Sequence, residues 1–200
     1  MKLLRKVKSI EVKRCFVISD YISQQKLLKR TIQTKDKKQY IEQVVKAKKV
    51  ILELPESMLD MIIKGQYQKR FKTYKKMEWY LGIVKISEVG VWKKAGGLPL
   101  AWTRGSLEET AHFVTQALRE NSKRLSQRSR TAIPGILKNS LSIIQKEKYL
   151  FPIILPGGTM VGRKGLRKMK GDIDDGCMRS IALAVSGKKT IKVYIGKKIN

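Results

Sequence analysis

The sequence predicts an α/β (α+β) domain over residues 79–200, a small mixed sheet with flanking helices, preceded by a basic, mainly helical region over residues 1–78. Three observations predict it. The last 120 residues alternate strand-like and helix-like segments, as layered α/β domains do. The region before them carries apolar residues mostly at helical spacing among many lysines. Hydrophobic residues make up 42% of the 200, enough for the core of one domain with an extension.

In the first region, "KSIEVKRCFVI" (8–18) is rich in β-branched and aromatic residues and reads as a strand. From Asp20 to Val50 the apolar positions fall at helical spacing, interrupted around "TKDKK". Pro55 stops the next run, and "ESMLDMIIKG" reads as a short helix closed by Gly65. "KGQYQKRFKTYKK" (64–76) interleaves Tyr67, Phe71 and Tyr74 with cations, including Lys69, Arg70 and Lys72. On a helix the aromatics share one face. That face either stacks on bases, with the cations on phosphates, or packs into a core; core packing is the commoner use of such spacing.

In the second region, "WYLGIVKISEVGVW" (79–92) alternates as a strand does, and "KKAGGLPLAWTRG" is a turn-rich loop. "SLEETAHFVTQALRENSKRL" opens with a capping box, Ser106 with Glu109. His112, the single histidine, lies on this helix without a second ligand-type neighbour and reads as an ordinary surface or core residue. "KRLSQRSR" (123–130) is a basic loop holding Lys123, Arg124, Arg128 and Arg130, either phosphate contacts or a solvated face. A further amphipathic helix begins at Pro134 and ends before the strand "FPIIL" (151–155). "GRKGLRKMKG" then brings Arg163, Lys164, Arg167 and Lys168 toward the last motif.

Charge sets the partner class. Forty-four Lys and Arg against 16 acids give a net charge of +28, which draws in polyanions. Nucleic acid is the expected partner, DNA before RNA, through its phosphates and with weak sequence preference. No apolar run is long enough to span a membrane. Cys15 and Cys177 lie far apart and make neither a disulfide framework nor a metal spacing, so a reducing, cytoplasmic setting is expected.

The motif is "DIDDGCMRSIALAVSGKKTIKVYIG" (172–196). Gly176 permits a tight turn or close backbone approach. Cys177 to Val185 form a short, nearly all-apolar helix with Gly187 as its C-cap, and "TIKVYIG" is the strand that follows. The helix N-terminus is a ready anion site, and Arg179 in its first turn can grip a phosphate. Asp174 and Asp175 can cap the helix, accept a proton or hold a metal ion.

"DGCMRSIALAVSGKKTIKVYI" resembles the signature of the ParB/sulfiredoxin-like superfamily, in which a G-x-x-R turn opens a buried helix followed by glycine and a strand. "IVKISEV" resembles the family's first strand, "TRGSLEETAHFV" its loop and helix, and "ILKNSLSIIQKEKYLFPIIL" its next helix–strand unit. The likeness covers about residues 80–196. It implies a phosphate- or nucleotide-binding turn at Gly176, Cys177, Met178 and Arg179. It also implies a loop arginine at Arg104, with Thr103 where the family has proline. Sulfiredoxins use G-C-H-R with a nucleophilic cysteine; Cys177 stands there, but Met178 replaces the histidine. Cys177 is either an activated thiol at a helix N-terminus or a small residue that fits the turn. Partition clamps of the family carry extra arginines here, and this motif has Arg179 alone. The family also includes nucleases and small-molecule kinases. In either, Asp174, Asp175 and Arg179 would be catalytic, with Mg²⁺ or Mn²⁺ on the aspartates and a nucleoside triphosphate as a further candidate ligand.

Overall fold

The computed structural model describes residues 1–31, 37–120, 150–156 and 169–199. The helix expected from Pro134 onward lies outside these residues. The chain divides into two compact units, Lys8–Lys76 and the combination of Met1–Val7 with Met77–Asn200.

The first unit is helical: α1 (Ser9–Thr31), α2 (Lys37–Glu53), α3 (Glu56–Gln66) and α4 (Gln68–Tyr74). The strand expected over 8–18 is the first half of α1. Its β-branched content suggested a strand, yet Val12, Cys15, Phe16, Val17 and Ile18 are all buried, on every side of a helix. A helix apolar nearly all round is buried among its neighbours, and that burial outweighs strand propensity, which is weak and context-dependent. α1 packs against α2 and α3, and α3 against α4. Pro55, extended at φ −67°, sits at the N-cap of α3 and breaks the run as expected. Lys13 is nearly fully buried; its Nζ donates to Glu56 Oε1 at 2.8 Å and pairs with Asp60.

The second unit carries a mixed sheet. Among the described residues its strands are β1 (Lys2–Val7), β2 (Met77–Lys85), β3 (Val89–Gly90), β4 (Ile153–Leu155), β5 (Gly171–Asp175) and β6 (Thr190–Lys198), in the order β1-β2-β6-β4-β5-β3. β2 and β6 run antiparallel through nine consecutive pairs, from Met77 opposite Lys198 to Lys85 opposite Thr190. β4 pairs parallel with β6 and antiparallel with β5, and β3 pairs parallel with β5. Helices α5 (Leu107–Arg119) and α6 (Cys177–Val185) pack on each other. Val84, Val193 and Ile195 of the sheet share one core with Leu107 and Val114 of α5 and Ile181 of α6.

The helix and strand mixture is the one expected, with differences of detail. The strand expected over 79–92 is β2, a 3₁₀ turn at Ile86–Glu88, and the two-residue β3. β1 and β5 were not expected. "GDIDD" has three acids in five residues, a poor strand composition, but Ile173 and Asp174 are buried where β5 joins β4 to β3. No helix among the described residues is long and apolar enough to cross a membrane. Cys15 and Cys177 are both free thiols and both buried.

Candidate functional site

The site grows from the end of β5. Ile153 pairs with Asp175 and Ile154 with Ile173, so β5 carries one extra residue, Asp174, in a bulge. Bulges re-aim the chain, and this one leads directly into the turn. Gly176 follows at φ 85°, the left-handed region that glycine enters without penalty, and is the N-cap of α6. A β-carbon on Gly176 would lie 2.8 Å from an Arg179 guanidinium nitrogen and 3.1 Å from Pro152 Cα. The arginine therefore lies back over the glycine, and the missing side chain is what admits it.

Arg179 is 6% exposed, and its Nη2 donates to Asp175 Oδ2 at 2.6 Å. No side chain caps α6. Asp175 thus serves the arginine and not the helix end. Asp174 is fully buried and engaged within the fold. Cys177 Sγ donates to Ile173 O at 3.7 Å from a buried position, the behaviour of a small packed residue and not of an exposed nucleophile. Gly187, at φ 92°, closes the helix: its N–H donates to Ala184 O, and the N–H of Lys188 donates to Leu183 O.

A divalent metal ion fits this arrangement poorly. One carboxylate is tied to a guanidinium, the other is enclosed, and a cation at the pair would face Arg179 at close range. Among the described residues no group of three or more His, Cys, Asp or Glu is placed to hold a metal.

The turn has a neighbour that the sequence reading missed. Met178 packs directly against Gly96, whose position at φ 61° leaves room for the methionine sulfur and no room for a side chain of its own. Gly96 belongs to the loop between β3 and α5. Lys94, in that loop, is the one non-glycine residue at positive φ (58°) among the described residues. Its N–H donates to Thr103 Oγ1 at 2.9 Å, and that hydroxyl donates to Leu100 O at 3.2 Å. Thr103, fully buried, ties the loop to itself. Arg104 follows it and is exposed, as are Lys93 and Lys94. Arg104 thus belongs to the loop that touches Met178. The loop ends in the expected capping box: Glu109 N–H donates to Ser106 Oγ at 3.1 Å, and Ser106 N–H to Glu109 Oε2 at 2.7 Å.

The remaining candidates scatter. Lys69 and Lys72 are exposed on α4 of the helical unit. Arg70 is not available to a polyanion. It is 5% exposed, with its guanidinium 4.4 Å from the centre of the Phe16 ring and 5.3 Å from that of Tyr67. Tyr67 and Tyr74 both meet Phe16 edge-on, at 5.3 and 6.0 Å, and Tyr67 donates to Asp20 at 2.6 Å. Lys123, Arg124, Arg128, Arg130, Arg163, Lys164, Arg167 and Lys168 lie outside the described residues.

Comparison with family models, with curated proteins and with solved structures finds no match to this chain.

Proposed function

We propose that the protein binds nucleic acid through its phosphates, with the turn Gly176–Arg179 and the loop carrying Lys93, Lys94 and Arg104 as a ParB/sulfiredoxin-like phosphate seat. The observation that carries this reading is the net charge of +28. It supplies non-specific affinity by counterion release whatever the detail of the seat. The loop adds local support: three exposed cations stand on the segment that packs against the first turn of α6, where backbone N–H groups and the helix dipole favour an anion. Arg179, held by Asp175, positions the turn. DNA is the leading ligand. The reading is one of binding without turnover, since Asp174 and Asp175 make a poor metal pair.

The test is fluorescence anisotropy of labelled DNA across a salt series. Log affinity should fall linearly with log salt, and replacing Lys93, Lys94 and Arg104 by Gln should flatten the slope by about three, one per lost phosphate contact. Added nucleoside triphosphate should compete where the seat also accepts a free nucleotide. Absence of binding at low salt would sink the proposal.

A further inference from the structure

The loop that borders the turn carries one half-buried indole, and an exposed phenyl ring of α5 stands beside it. Trp102, on the 3₁₀ turn Leu100–Thr103, and Phe113, on the outer side of α5, lie nearly parallel, 6.1 Å between ring centres and 12° between planes. Phe113 is 38% exposed, and exposed His112 meets it edge-on at 6.0 Å. The mounting is firm. Fully buried Thr110 donates its hydroxyl to Trp102 O at 2.9 Å, and Trp102 N–H donates to Pro99 O at 3.1 Å. Thr103, next in sequence, fastens Lys94. Exposed Lys93, Lys94 and Arg104 therefore belong to the same bonded loop as the indole.

We infer that Trp102 and Phe113 form a stacking platform for unpaired bases, and that the ligand of this surface is single-stranded nucleic acid. The inference rests on the phosphate-binding reading above and adds to it the class of strand. The physical reason is the pairing of two chemistries. Cations alone take any phosphate backbone, duplex included. An exposed ring beside them, Phe113 seated next to the half-buried Trp102, serves a base whose own face is free, and duplex bases spend both faces on their neighbours. A purely structural staple would bury Phe113 over Trp102, and more than a third of Phe113 stays in solvent.

The experiment measures binding of the full chain to labelled oligothymidylate, oligouridylate and a DNA duplex of equal length. Wild type is compared with Phe113→Ala, Phe113→Leu and Phe113→Tyr. Single strands should bind more tightly than duplex. Phe113→Ala and Phe113→Leu should weaken single-strand binding about tenfold, the loss of one base–ring stack, and leave duplex binding unchanged. Phe113→Tyr should retain wild-type binding, because it keeps the ring. The two single-strand arms distinguish DNA from RNA, and a preference for either supports the platform. A far-UV circular dichroism spectrum and melting curve matching wild type show that each variant is folded. Equal binding of single strand and duplex, or full single-strand affinity in Phe113→Leu, overturns the platform and leaves the phosphate reading intact. Failure to bind any of the three ligands overturns that reading, and the platform with it.

Discussion

Two stretches of this chain share a composition and use it oppositely. In the helical unit, residues 64–76 mix lysines and Arg70 with Tyr67, Phe71 and Tyr74. In the sheet unit, residues 92–105 mix Lys93, Lys94 and Arg104 with Trp92 and Trp102. The first turns inward: Tyr67 and Tyr74 close on Phe16, and the Arg70 guanidinium lies over the Phe16 ring at 4.4 Å. In the second the cations turn outward: Arg104, Lys93 and Lys94 are exposed, while Trp92 and Trp102 are half-buried against the core and Trp102 lies beside the exposed Phe113 of α5. Basic residues interleaved with aromatics therefore do not by themselves define a binding surface. The backbone decides. Tyr67 stands at the non-helical junction of α3 and α4 and Tyr74 ends α4, and that backbone break brings both rings onto Phe16. A ring on a 3₁₀ turn tied by Thr103 and Thr110 is held wherever the loop puts it.

The same truncation at both places gives the largest test of this contrast. Phe16→Ala removes a buried ring that organises α1, the start of α4 and Arg70, and should cost about 3–5 kcal/mol. Phe113→Ala removes a ring with much of its surface in water and should cost less than about 1 kcal/mol. Hydrogen exchange read separately for α1 and α5 amides measures both. Equal losses would erase the distinction between an inward and an outward aromatic stretch.

The buried ion pair beneath the turn gives a smaller effect. Replacing Arg179 by Ala leaves Asp175 without its guanidinium and exposes Pro152 and Gly176 to solvent; the cost should be about 2 kcal/mol, below the ~3–5 kcal/mol of a wholly enclosed pair, because the Asp175 side chain is 18% exposed. Denaturant unfolding followed at α6 would show it. Arg104→Gln, by contrast, should change stability by no more than about 0.5 kcal/mol and lower the salt slope of nucleic-acid binding by about one. A stability loss at Arg104 equal to that at Arg179 would mean that both arginines are structural.

Part of this was legible from sequence because it follows from local rules. Ser106 and Glu109 are three residues apart, and the capping box formed. Gly176 and Gly187 both stand at positive φ where a helix was read to begin and end. What escaped depends on distance along the chain. The strand identity of "GDIDD" is imposed by β4 and β3, not by its own composition. α1 was misread because the run Cys15–Ile18 is apolar without a break, a pattern that a short buried strand and a helix buried on all sides share. The Asp175–Arg179 pair spans four residues, a spacing that signals contact inside a helix, but Asp175 lies on a strand and only the left-handed Gly176 folds the two together. The contacts of Lys94 with Thr103, Gly96 with Met178 and Trp102 with Phe113 have no local signature at all.

The smallest predicted effect separates the two units by pH. Each holds a carboxylate against a cation. In the helical unit the Lys13 ammonium, by its hydrogen bond, keeps Glu56 below the ordinary carboxylate range. In the sheet unit Glu88 accepts from Lys170 Nζ at 2.7 Å and from the Met1 ammonium at 2.8 Å. The Lys170 bond first, then the Met1 bond, lower its pKa from 4.5 to about 2. A carboxyl whose folded pKa is depressed binds its proton more readily in the unfolded chain, so it contributes stability above the ordinary pKa and loses it as pH falls. The Glu88 contribution should therefore be complete above pH 4.5 and decline progressively to pH 2. It acts where Lys170 N–H also donates to Glu88 O, at the junction of β3 and β5. Glu56 is 44% exposed, so solvent screens its pair and the helical unit should respond less. Acid titration with amide exchange read at β5 and at α3 tests this. Lys170→Met should raise the pH at which β5 loses protection and leave α3 unchanged, and a parallel shift of both would show that acid acts on the charge of the whole chain instead of on these two clamps.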